Sequence, residues 1–132
     1  MQVRSLIGDE IVFVDPDATL REVAQLLTAN EIGIVVVGSK DQPVAVVSER
    51  DVTRAVAQAR DAERTSATEI AHRELVWCDG AASVADVAAE MMDRYVRHVL
   101  VETRGKLVGV VSARDLLGYY AASDDGELAS ST

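Results

Sequence analysis

Apolar and polar positions follow two rhythms along this chain. Leu20, Val23, Ala24 and Leu27 fall at i, i+3, i+4 and i+7, the spacing that puts apolar side chains on one face of a helix. Val84, Val87, Ala88 and Met91 repeat it. Short β-branched runs, too brief for helices, predict strands at residues 11–14, 34–37 and 44–47, and again at 75–78, 98–101 and 107–111. Turn residues punctuate them. Asp15-Pro16-Asp17 and Asp79-Gly80-Ala81 lead into helices beginning at Thr19 and Ser83. Gly38-Ser39-Lys40-Asp41 and Thr103-Arg104-Gly105 each join two strands into a hairpin. Further helices start near Ser48 and Ser112. Each half therefore reads β-α-β-β-α.

The halves are copies of one unit. Shifted by 64 residues, the chain aligns with itself without a gap. Val12, Asp15, Val23 and Ala24 meet Val76, Asp79, Val87 and Ala88; Val46-Val47-Ser48 meets Val110-Val111-Ser112; Arg50-Asp51 meets Arg114-Asp115. Fourteen of the forty-six positions from Val12 to Ala57 are identical. Chance would give about four or five in so Ala/Val-rich a chain, so the repeat is a duplication. A unit of about fifty residues buries too little surface to be stable alone. The expected fold is α/β (or α+β): two β-α-β-β-α units sharing a core about a pseudo-two-fold axis, with equivalent clefts and equivalent polar residues in them. The first repeat is expected over residues 1–60, a polar connector over 61–67, the second repeat over 68–122 and a small, acidic, disordered tail over 123–132.

Each repeat ends on a related motif, Ala45-Val46-Val47-Ser48-Glu49-Arg50-Asp51 and Gly109-Val110-Val111-Ser112-Ala113-Arg114-Asp115. With the element order, this pattern resembles the CBS-domain family (named for cystathionine β-synthase), over almost the whole chain before the tail. Supporting stretches run from Val12 to Leu20 and from Val96 to Val101. The resemblance implies a tandem pair, often called a Bateman module, that commonly forms a homodimer. It also implies binding of an adenosine-containing ligand such as AMP, ADP, ATP or S-adenosylmethionine in clefts between the repeats. Asp51 and Asp115 would then hold ribose hydroxyls, with Ser48 and Ser112 near phosphate or ribose. The chemistry suits the residues. An ionised carboxylate accepts two hydrogen bonds from a diol, and a helix start offers N–H groups to phosphate. Arg50, Arg97, His98, Lys106 and Arg114 can neutralise phosphate charge. The chain departs from the family pattern at Ala45, where the motif prefers glycine and a methyl group is expected to obstruct backbone approach. It departs again at Val36 and Leu100, where proline is common. The second repeat therefore matches the ligand-site pattern better, favouring Asp115 and Ser112 over Asp51 and Ser48.

A plainer reading stands beside this one. Ser-x-x-Asp is also a helix capping box, and Thr19-Leu20-Arg21-Glu22 and Ser83-Val84-Ala85-Asp86 have the same form at the other helix starts. A structural or protein-interaction dimer with empty clefts would need no more than caps. His98 is either a phosphate contact or a surface residue, and His72 is placed in a loop. Cys78 is expected to point inward, Trp77 outward, and Met91-Met92 to belong to the helix core.

Totals narrow the choice. The 132 residues carry a formal charge of −9, which disfavours nucleic acid and anionic membranes as partners. Cys78 is the only cysteine, so no internal disulfide forms, as expected in a reducing cytoplasm. No signal peptide and no bilayer span are expected. No His/Cys/Asp spacing resembles a metal site. No nucleophile–base set or carboxylate pair comes together, so a nucleotide hydrolase ranks last and a ligand-sensing module without cofactor or catalysis, acting through an effector protein, ranks first.

Overall fold

The structure, a computed structural model, describes residues 1–7 and 10–131, and for 123–131 the backbone alone. Hydroxyls at the repeated positions start the helices. Thr19 accepts a hydrogen bond from the Glu22 N–H at 3.1 Å and opens α1, Leu20–Asn30. Ser83 does the same for Asp86 at 3.1 Å and opens α4, Val84–Arg94. Both helices stop on a left-handed residue, Glu31 (φ 52°) and Tyr95 (φ 55°), 64 positions apart. Leu20, Val23 and Leu27, and likewise Val84, Val87 and Met91, form the buried faces that the spacing predicts. Met92 does not belong to that face: one step beyond Met91, it points outward and is 77% exposed.

Two three-stranded sheets follow the same plan. In the first, β1 (Phe13–Val14) runs parallel to β2 (Ile34–Gly38), which pairs antiparallel with β3 (Pro43–Ser48). In the second, β4 (Trp77–Asp79), β5 (His98–Thr103) and β6 (Lys106–Ser112) repeat this. Even the irregularity recurs, at Val37/Gly38 and at Val101/Glu102. The opening strands are shorter than the apolar runs suggest, although Val12 and Val76 still accept bonds from Val36 and Leu100. α2 (Glu49–Ala57) and α5 (Ala113–Ser131) close the units. The expectation of a disordered tail over 123–132 falls on residues outside the side-chain description, although the α5 backbone runs to Ser131.

The chain divides into two compact units, one of Glu10–Leu75 and the other of Met1–Asp9 with Val76–Thr132. The segment preceding each repeat therefore packs on the other repeat. The Val3 N–H donates to the Ala82 carbonyl at 2.8 Å, and the Ala67 N–H to Ala18 at 2.7 Å. Gln2 bridges Ser83, and Ser66 bridges Thr19. Val3, in a 3₁₀ turn over Val3–Leu6, and Ala67, in the short helix α3 (Ala67–Ile70), are both fully buried. The expected polar connector thus contains core: Thr65 is 6% exposed and its carbonyl accepts from Leu20. Val3, Val87, Val99, Val101 and Val111 belong to one cluster, and Val23, Val35, Val37, Val47 and Ala67 to the other. Each fully buried valine of these clusters contributes about 1.5–3 kcal/mol.

The exchange explains Ala45. In the Val76–Thr132 unit, Ile7 lies over Gly109, where an added Cβ would stand 2.5 Å from Ile7 Cγ2. Ala45 occupies the equivalent place, and the residue equivalent to Ile7 is Ala71, which packs against the cluster containing Ala45. The methyl group absent at one site is matched by a smaller neighbour at the other, so Ala45 is accommodated and buried at 3% exposure.

Candidate functional site

Ser48 and Ser112 end their third strands and cap α2 and α5. At α2 the box is complete. The Asp51 N–H donates to Ser48 Oγ at 3.3 Å, and the Ser48 N–H donates to Asp51 Oδ2 at 2.8 Å. At α5 the Asp115 N–H donates to Ser112 Oγ at 3.0 Å and the Ser112 N–H to Asp115 Oδ2 at 2.9 Å. Both pairs are therefore real helix caps, as the plainer reading requires. The control boxes at Thr19 and Ser83 show only the hydroxyl half of this exchange.

The carboxylates differ in what the remaining oxygen does. Asp51 is 2% exposed. Its Oδ2 also accepts from Ser48 Oγ at 3.0 Å, while Oδ1 lies 3.2 Å from Arg54 Nη1 and 2.6 Å from His72 Nε2. Asp115 is exposed. Among the described residues its Oδ2 meets Ser112, and no bond to Oδ1 is formed.

Their surroundings differ as well. His98 sits directly opposite Ser112 across β5–β6, and the Arg97 carbonyl accepts from the Ala113 N–H at 2.7 Å. Arg97, His98, Ser112, Arg114 and Asp115 therefore share one end of the second sheet, Arg97 and Arg114 exposed and His98 half-buried. At the equivalent end of the first sheet, Ile34 faces Ser48 and the Gly33 carbonyl accepts from Glu49. Arg50 is the predicted cation that remains there, and it is exposed. Lys106 begins β6, opposite Thr103, at the far end of the strand from Ser112.

His72 was not legible as a site residue. The Val46–His72 backbone pair, at 2.9 and 3.0 Å, draws it out of the expected loop and onto β3, where its ring reaches Asp51. Cys78 packs against the second core cluster. Burial, then Asp79, Glu102 and Glu90, push its thiol up to about 11, the opposite of an activated nucleophile. Trp77 is 36% exposed, on the outward side expected. Among the described residues no cluster of metal-ligating side chains forms, and no helix is long and apolar enough to cross a membrane.

A duplicated β-α-β-β-α unit, with a capped Ser-x-x-Asp at the last helix of each copy, defines a tandem-repeat α/β fold. The CBS domain sequence profile matches residues 3–58 and again 67–122, and the chain belongs to the CBS-domain family. Among solved structures, a protein with CBS domains from Burkholderia ambifaria superposes with a TM-score of 0.86 at 26% identity, covering 92% of this chain and 95% of that one. A CBS domain protein from Pyrobaculum aerophilum, complexed with AMP, superposes at 0.78 with 39% identity over 87% of this chain and 89% of that one. An uncharacterised protein from Methanopyrus kandleri is 28% identical over 111 residues, 82% of this chain, which spans 57% of that protein's length.

Proposed function

We propose that this chain is a regulatory CBS pair, not an enzyme, that binds an adenosine-containing ligand: AMP, ADP, ATP or S-adenosylmethionine. The open Oδ1 of Asp115 carries this reading. A ribose diol donates two hydrogen bonds, and a solvent-facing carboxylate with one oxygen uncommitted can accept them. The N–H groups of Ser112, Ala113 and Asp115 are already engaged, so a phosphate at the start of α5 would be met by the Ser112 hydroxyl and by the charged groups of Arg97, His98 and Arg114. Asp51, Ser48 and Arg50 are the corresponding set in the other unit. The 39% identical Pyrobaculum protein, complexed with AMP, supports this ligand class. Regulation would follow from tighter binding to one conformational state of a cytoplasmic homodimer, read by an effector protein. With a net charge of −9, neither nucleic acid nor membrane is its target.

Calorimetric titration with the four ligands tests this. One of them should bind tightly to the wild type, and a folded Asp115→Ala variant should lose that tight binding. Should none bind, a protein-interaction dimer becomes the better description. The self-satisfied Asp51 already fits that second reading.

A further inference from the structure

The difference between the two carboxylates extends to what stands in front of them. Arg54 and His72 both approach Asp51 Oδ1, at 3.2 and 2.6 Å. Their side chains are about half exposed, at 50% and 56%, while that of Asp51 is 1% exposed. They edge a cavity of about 250 Å³ whose lining also includes Arg60 and Glu69. Glu69 accepts from the Ser66 N–H at 2.6 Å, while Arg54 and His72 are on Asp51.

Sixty-four residues along, Gly118 occupies the place of Arg54, and Gly8 precedes His72 by the same offset. In sequence, both donors of the first set thus align with residues that have no side chain. Gly118 lies within α5, where glycine costs about 1 kcal/mol relative to alanine. Its packing does not require glycine, because an added Cβ would meet nothing within 4 Å. What the glycine does provide is clear space one helical turn from Asp115.

We propose that Arg54 and His72 form an internal latch on Asp51. The first ligand position is closed by the chain's own donors until a ligand displaces them, while the position at Asp115 stands open. The inference rests on reading these carboxylates as ribose acceptors. A carboxylate oxygen has a limited number of acceptor sites. A guanidinium and an imidazole on Oδ1 therefore compete with ribose hydroxyls for the same lone pairs. The chain would fill in two stages, Asp115 first and Asp51 only at higher ligand concentration.

Calorimetry with AMP on the full chain tests the latch. Wild type should bind one tight equivalent, and Asp115→Ala should lose it. Adding Arg54→Ala and His72→Ala to Asp115→Ala should restore one equivalent, at least about tenfold tighter than in Asp115→Ala alone. Asp51→Asn should remove it again. Two tight equivalents in the wild type, or no gain on removing the latch while the wild type binds, overturns the proposal. A wild type that binds none of the four adenosine ligands sinks the proposed function instead. The latch is then decided by thermal unfolding of Asp51→Asn, His72→Ala and the double variant. A double variant whose Tm falls by less than the sum of the single losses supports the latch, and strictly additive losses overturn it.

Discussion

The first carboxylate, Asp51, is buried and meets four donors, from the Ser48 backbone and hydroxyl, Arg54 and His72. The second, Asp115, faces solvent and accepts from the Ser112 N–H. Around them the backbones agree in detail: caps, left-handed helix ends and strand irregularities recur 64 residues apart. Helix caps and turns are dictated by main-chain geometry, which both copies need in order to fold. Side chains beyond the cap are under no such constraint. Duplication thus preserved the scaffold and let the two ends diverge into one self-satisfied and one available acceptor.

The largest expected effect comes from deleting the buried carboxylate, with the exposed one as its control. Asp51→Ala removes a cap and leaves Arg54 and His72 without their acceptor, a loss of about 2–3 kcal/mol. Asp115→Ala removes an exposed cap, a loss of about 1 kcal/mol. Urea denaturation of both variants checks the difference, and equal losses would break the comparison. Next in size is Gly109→Ala, which drives a methyl group into Ile7 and should cost about 1–3 kcal/mol. Combining it with Ile7→Ala should recover part of the Gly109→Ala penalty, and a double-mutant cycle in urea measures the coupling. The smallest effect is a gain. Tyr95 holds a left-handed conformation (φ 55°) while 93% exposed, so Tyr95→Gly should raise stability by about 0.5–1 kcal/mol. Glu31→Gly should do the same in the other unit, and a rise in Tm for both would confirm that the two helix ends are equivalent.

Much of this was legible in the residues. The 64-residue offset carried the element order, the caps of α1, α2, α4 and α5, and the buried faces of α1 and α4. Met92 was misread as core, although a step of one from Met91 turns about 100° around the helix and carries it off the buried face. The preference for Asp115 over Asp51 was reached through Ala45, yet Ala45 is comfortably packed. The difference that the structure shows between the two carboxylates lies instead at Arg54 and His72. His72 lies 21 residues from Asp51 and meets it only because β3 captures the lead-in of the second repeat. That capture is tertiary, and periodicity does not encode it. The box Ser66-Ala67-Thr68-Glu69 that opens α3 had a local signal, masked by the polarity of the residues before it.

The crossed lead-ins also set an order of assembly. Val3 leaves the ribosome roughly a hundred residues before Val111, with which it shares a core, an interval on the order of ten seconds at ordinary rates of synthesis. During that interval Val3 and its neighbours have no partner of their own. The unit of Glu10–Leu75 can close as soon as Ala67 and His72 emerge. The half of the chain translated first is therefore the first to be complete, while its leading residues are among the last to find their place.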